Sequence, residues 1–155
     1  MHGRILMTAD TVGGVWPFAV DLAKALSDHG IETAIATMGR APDRSQRAQV
    51  RELPSVELFE SEYRLEWMRQ PWEDVERAGE WLLELAADLQ PDLVHLNNYA
   101  HGALPWSVPV VITGHSCVLS WWSNVRRERA PEAYRPYAAA VRRGLQRADA
   151  VVAPS

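Results

Sequence analysis

The chain has 155 residues, of which 47% are hydrophobic, with one cysteine and a formal net charge of −4. That much apolar material can fill one sizeable core, so a single domain over residues 1–155 is expected. An acidic balance with scattered arginines argues against nucleic acid or an anionic membrane surface as partner, and no apolar run reaches the length of a spanning helix. The lone Cys117 excludes an internal disulfide, and the first residues lead into a strand with no signal-type segment ahead of it, so a cytoplasmic location is expected.

The first predicted element is a strand over Arg4 to Met7, which breaks at the turn Thr8 to Gly14 and passes without pause into an amphipathic helix. Apolar residues at Val15, Phe18, Ala19, Leu22, Ala23 and Leu26 give that helix its 3.6-residue stripe, and Gly30 closes it. Pro17 suits the first helical turn, where a missing N–H costs nothing. The turn lies at a helix N-terminus, where unpaired N–H groups and the macrodipole favour an anion, above all a phosphate. Gly13 and Gly14 permit positive φ and close approach of a ligand, although a paired glycine is also a plain steric solution to a sharp corner.

A short β-rich run, Ile31 to Thr37, completes a strand–helix–strand unit, which implies a right-handed parallel crossover. The polar segment Gly39 to Pro54 is expected to be loop with at most one helical turn, and Val56 to Phe59 reads as a third strand. Ser61 to Pro71 shows partial burial but no period. From Pro71 to Leu89 the helical period returns, with Glu73, Asp74 and Glu76 placed favourably in the first turn. Leu93 to Leu96 reads as a strand buried on both faces, and it ends in the polar cluster Asn97 to Gly102. Pro109 to Thr113 is the next strand and ends in Gly114-His115-Ser116-Cys117. A loop with Trp121, Trp122 and three arginines follows, then a helix over Pro131 to Arg147 and a buried strand from Ala148 onward. Strands alternating with helices predict an α/β, Rossmann-like, doubly wound and mostly parallel sheet, whose ligands bind at the carboxyl ends of the strands.

The chemistry is bounded mainly by what is missing. G-x-G-x-x-G is absent from the first turn, Thr37-Met38 stands where a dinucleotide site has its acidic residue, and neither a Walker A motif nor Asp-x-Asp occurs. His95, His101, His115 and Cys117 match no zinc spacing, so no metal is expected, and Cys117 reads as a packed thiol. Trp121-Trp122 fits either core packing or an apolar platform. His115, directly after a strand and before small polar residues, is the leading functional candidate.

Four segments in this order and spacing, Gly13-Gly14-Val15 after Ile5-Leu6-Met7, Pro91 to Leu96, Thr113 to Ser116, and Ala148 to Ser155, resemble the amino-terminal domain of retaining glycosyltransferases of family 4. The resemblance implies one half of a GT-B architecture of two facing Rossmann-like domains. It implies that the chain holds the acceptor while an absent carboxyl-terminal domain, or a partner chain, binds a nucleotide-sugar donor, with no cofactor beyond that substrate. By the same resemblance Gly13 and Gly14 approach the donor diphosphate and His115 is the catalytic residue at the transferred sugar. Asp10, Trp16, Asn97, Tyr99, His101, Ser116, Trp121 and Trp122 would face the acceptor. Thr11 stands where starch and glycogen synthases carry a lysine, which disfavours an α-glucan synthase. The implied activity is hexosyl transfer with retention, absent in the chain alone; the alternative is a stand-alone or partner-completed module for a phosphosugar or nucleotide.

Overall fold

The computed structural model describes residues 3–154. Six strands form one fully parallel sheet: β1 (Arg4–Asp10), β2 (Glu32–Met38), β3 (Val56–Glu60), β4 (Leu93–Leu96), β5 (Val110–Thr113) and β6 (Ala150–Val152). Their spatial order is β3-β2-β1-β4-β5-β6, so the direction of winding reverses between β1 and β4. This is the doubly wound arrangement, and its ligand crevice opens at that reversal.

Five helices accompany the sheet: α1 (Val15–Ser27), α2 (Arg44–Arg51), α3 (Trp72–Leu89), the single turn α4 (Val118–Trp121) and α5 (Arg135–Arg147). Because side chains alternate along a strand, the sheet divides into two faces. Leu6, Ala34, Ala36, Val94, Leu96 and Ile112 pack with Ala78 and Leu82 of α3 and with Tyr137 and Val141 of α5. Met7, Ala9 and Ile35 pack on the other face with Trp16, Ala19 and Ala23 of α1 and Val50 of α2. None of the helices is long and apolar enough to cross a membrane, among the described residues.

Three expectations change. The polar segment after β2 contains the two-turn helix α2, capped by a reciprocal box in which Asp43 Oδ1 accepts from the Gln46 N–H at 2.8 Å and Gln46 Oε1 accepts from the Asp43 N–H at 2.9 Å. Val50 is its one buried residue, and Arg47 ties it to Glu60 of β3 through two bonds of 2.8 and 2.7 Å. The expected loop after Cys117 winds instead into α4 and a wider π-type turn, Trp122–Arg126, closed by Arg127 at φ 56°. The last strand was expected to be buried; β6 is an edge strand paired only with β5, and Val151 and Val152 remain half exposed.

One close approach sets the crevice wall. The 3₁₀ turn Ala100–Ala103, which follows β4, lies directly on α5 at Gly144. A Cβ at Gly144 would collide with the Tyr99 carbonyl oxygen, and a Cβ at Gly102 would stand 2.8 Å from the Gly144 oxygen. Gly144→Ala therefore loses more to overlap than the roughly 1 kcal/mol that alanine gains in a helix. Urea denaturation is expected to show a net destabilisation of about 1–3 kcal/mol, whereas Gly14→Ala, with φ −76° and nothing within 4 Å of the new carbon, stays within about 0.5 kcal/mol of the parent.

Candidate functional site

The β1-to-α1 turn forms one rim of the crevice. Asp10 Oδ1 accepts from the Val12 N–H at 2.7 Å, the Thr11 hydroxyl donates to the Arg40 carbonyl, and Gln46 Nε2 donates to the Thr11 carbonyl at 3.0 Å. Those bonds hold the turn from both sides. Gly13 needs glycine conformationally, at φ 80°, but Gly14 does not. Both are exposed, and no side chain caps α1 and no acidic residue occupies its first turn. The helix thus presents an uncapped N-terminus beside Asp10 and Val15, which line the crevice cavity of about 70 Å³.

Across the crevice, the residues after β4 and β5 meet. His115 Nε2 lies 2.7 Å from Asn97 Oδ1, and Asn97 Nδ2 donates to the Thr8 carbonyl at 2.7 Å. Thr8 Oγ1 also accepts from the Asn97 N–H at 2.9 Å and donates to Asn98 Oδ1 at 2.9 Å. Phe18 of α1 packs edge-on against the His115 ring, with centroids 4.6 Å apart. Partial burial holds the His115 imidazole below its ordinary pKa, so it is neutral near pH 7.

A residue that the sequence reading passed over forms the floor. Glu66, in the aperiodic segment after β3, is 7% exposed, and its two oxygens accept from the N–H groups of Tyr99 and Ala100 at 2.9 and 2.7 Å. Its carboxylate thereby fixes the start of the 3₁₀ turn. Desolvation raises its pKa, and the backbone donors act in the opposite direction. Tyr99 lines the cavity and its hydroxyl donates to the Ser116 carbonyl at 3.2 Å; burial pushes that phenol up to about 12.

From this cavity an aromatic cleft runs outward. Trp67, Ser116, Cys117, Trp121, Trp122, Tyr134 and Tyr137 border a space of about 570 Å³, and Trp67 and Tyr137 also line the inner cavity. Trp121 and Trp122 meet edge to face at 5.6 Å, and the Arg126 guanidinium stands 5.6 and 5.8 Å from their ring centres. Such a rim offers stacking surface and a positive charge.

The structure therefore gathers Asp10, Asn97, Tyr99, His115 and Ser116 around one cavity, with Gly13 and Gly14 at its rim and Trp121 and Trp122 in the adjoining cleft. It does not bring Trp16 or His101 there. Trp16 points beneath α1 into the core, 4% exposed, and its Nε1 donates to Gln49 Oε1 at 2.8 Å. His101 is likewise 4% exposed, and both its ring nitrogens are engaged, by Asn98 Nδ2 at 2.8 Å and the Val75 carbonyl at 2.9 Å. Nor do the histidines converge on a metal position: His95 Nε2 pairs with Thr113 Oγ1 at 2.7 Å, and no group of three candidate ligands occurs among the described residues.

An all-parallel doubly wound sheet, with an open helix N-terminus at a polar crevice, is a Rossmann-like arrangement. The family model for Glycosyltransferase Family 4 matches residues 12–155, and the chain belongs to that family. Comparison with curated proteins gave no match. Among solved structures, Phytolacca americana UGT2, in complex with UDP-2fluoro-glucose and pterostilbene, is similar at TM-score 0.67 and 13% identity, over 99% of this chain and 47% of that one. A UDP-glucosyltransferase from Polygonum tinctorium capable of glucosylating indoxyl gives 0.66 and 15%, over 100% and 47%. Acinetobacter baumannii MurG gives 0.60 and 16%, over 99% and 41%. The chain spans less than half the length of each, and the likeness is one of fold.

His95 supplies a pH test of this interior. Burial, with His115 as a second contributor, lowers its pKa from 6.5 to about 4. An imidazole with a depressed folded pKa stabilises the fold fully above pH 6.5 and loses that contribution as pH falls from 6.5 toward 4, amounting to about 3 kcal/mol. His101 and His115 act in the same direction, while the raised carboxyls Asp10 and Glu66 act oppositely. The comparison with His95→Gln isolates the one residue: urea midpoints of the two chains are expected to converge as pH falls through this window, and parallel curves would contradict the assignment.

Proposed function

We propose that this chain is the acceptor-side wall of a glycosyltransferase that moves a hexose from a nucleotide sugar with retention of configuration. The observation that carries the reading is the crevice at the β1/β4 reversal, with the open N-terminus of α1 on one rim and the neutral His115 on the other. In the reaction the bond between the anomeric carbon and the donor phosphate breaks, and a bond to an acceptor oxygen forms. The acceptor proton leaves with the nucleoside diphosphate.

Each part of the crevice has a role in that step. The positive end of α1 stabilises charge as it develops on the leaving diphosphate, and Gly13 and Gly14 let it approach the backbone. His115 orients a hydroxyl of the transferred sugar. Asp10, Asn97, Tyr99 and Ser116 line the inner acceptor space, and Trp67, Trp121 and Trp122 give the acceptor an aromatic surface. The second wall, with the nucleotide site, lies in a carboxyl-terminal domain or a partner chain. Transfer at such a cleft needs both walls to align the reactants, so the 155-residue chain by itself turns over no donor.

The test uses the polypeptide encoded by the full reading frame, supplied with a panel of nucleotide sugars and acceptors. Acceptor-dependent release of a nucleoside diphosphate is expected, with the donor's anomeric configuration kept in the product. His115→Ala is expected to lower kcat by a larger factor than it raises the acceptor KM. An inverted product would remove retention, and a change confined to the acceptor KM would move His115 to the acceptor site.

A further inference from the structure

We propose that Asn97 is a positioning residue that locks His115 into its Nε2–H tautomer, so that the crevice offers its ligand Nδ1 as a bare acceptor for a hydroxyl. The argument needs only donor and acceptor chemistry. The Thr8 main-chain oxygen can only accept, so the Asn97 side-chain nitrogen must be the atom facing it, at 2.7 Å. Asn97 Oδ1 is thereby turned to His115 Nε2, also at 2.7 Å. An amide oxygen can only accept as well, so Nε2 must carry the proton. A neutral imidazole has one N–H, and Nδ1 is left with a lone pair.

Thr8 makes this arrangement hard to invert. Its hydroxyl accepts from the Asn97 N–H and donates to Asn98 Oδ1, while its carbonyl holds Asn97 Nδ2, so the same residue fixes the asparagine at backbone and side chain. Phe18 packs on the His115 ring and limits its rotation, and Nδ1 has no protein partner among the described residues. A lone pair in this position accepts from a hydroxyl and repels a phosphate or carboxylate oxygen. Two ligand chemistries are thereby sorted within one crevice. The oxyanion belongs at the α1 N-terminus, and the hydroxyl-bearing ring belongs at His115. Naming that ring a sugar rests on the glycosyltransferase reading; the tautomer does not.

The tautomer is read directly in the uniformly ¹⁵N-labelled 155-residue chain, without donor or acceptor, by long-range ¹H–¹⁵N correlation of the His115 ring at neutral pH. A pyrrole-type Nε2 and a pyridine-type Nδ1 are expected. In Asn97→Ala the two forms should mix. Asn97→Asp sets a second acceptor oxygen against the Thr8 carbonyl, so the clasp is lost there too, while its new negative charge beside the ring should raise the His115 midpoint by about 1 pH unit. Asp10 and His95, which face the same region, are unchanged in all three chains. A pyrrole-type Nδ1 in the parent chain would overturn the proposal whether or not either variant folds. So would a single unchanged tautomer in Asn97→Ala, or an unmoved midpoint in Asn97→Asp. None of these outcomes depends on sugar transfer, so a failed transfer assay and a failed tautomer assignment remain separate results.

Discussion

The arrangement of the crevice depends on the clasp between Thr8 and Asn97. Where a doubly wound sheet reverses, neighbouring strands send their following segments to opposite sides, and the strand ends at that point lack a shared cover. Here Thr8 on β1 meets the segment after β4 through its backbone carbonyl and its hydroxyl. That contact keeps the crevice polar at its base, and it aims one asparagine oxygen at His115. Glu66 fixes Tyr99 and Ala100 of the same segment by accepting their N–H groups, and the glycine contact with α5 closes the wall behind them. The segments after β1, β4 and β5 are each tied by a hydrogen bond to another part of the fold.

Polarity is divided across that frame. One rim is a helix N-terminus with no acidic residue in its first turn and no side-chain cap, a place for negative charge. The opposite rim is a neutral imidazole, and the outer cleft is aromatic with an arginine at its edge. A nucleotide sugar and its acceptor present the same sequence of chemistries: diphosphate, hydroxylated ring, then the acceptor body. Membership in Glycosyltransferase Family 4 and the Rossmann-like fold shared with solved glycosyltransferases give this proposed order a physical setting.

Much of the fold was legible in the sequence because β1, α1, α3, β4 and β5 carry clear apolar periods, and the polar clusters at the strand ends marked the crevice. Other parts carried no such signal. The helix α2 buries only Val50, so its period is silent, and its one readable mark is the Asp43-to-Gln46 capping pair. Glu66 takes its meaning from backbone donors more than thirty positions away, which no local pattern encodes. Trp16 joins Ala19 and Ala23 on the buried face of α1, a face the expected stripe shared at both alanines but extended to Val15 and Phe18, and Phe18 instead meets the histidines at the edge of that face. His101 lies in the right loop, but the 3₁₀ turn rotates its ring inward to satisfy buried polar groups. At the last strand, apolar composition alone suggested burial, and position at the sheet edge decided otherwise.

Gly14 offers the most direct test, because the fold gives it no strong reason to be glycine: its φ is −76° and a Cβ there meets nothing within 4 Å. A ligand that closes on the helix N-terminus supplies that reason. The decisive measurement is therefore kcat and acceptor affinity for Gly14→Val in the full-length polypeptide, with folding checked by its urea midpoint. The account requires turnover to fall by at least about 100-fold, the scale of losing one preorganised stabilising contact, with acceptor affinity and stability close to the parent. Unchanged turnover in the folded variant would contradict it and remove the diphosphate from this rim.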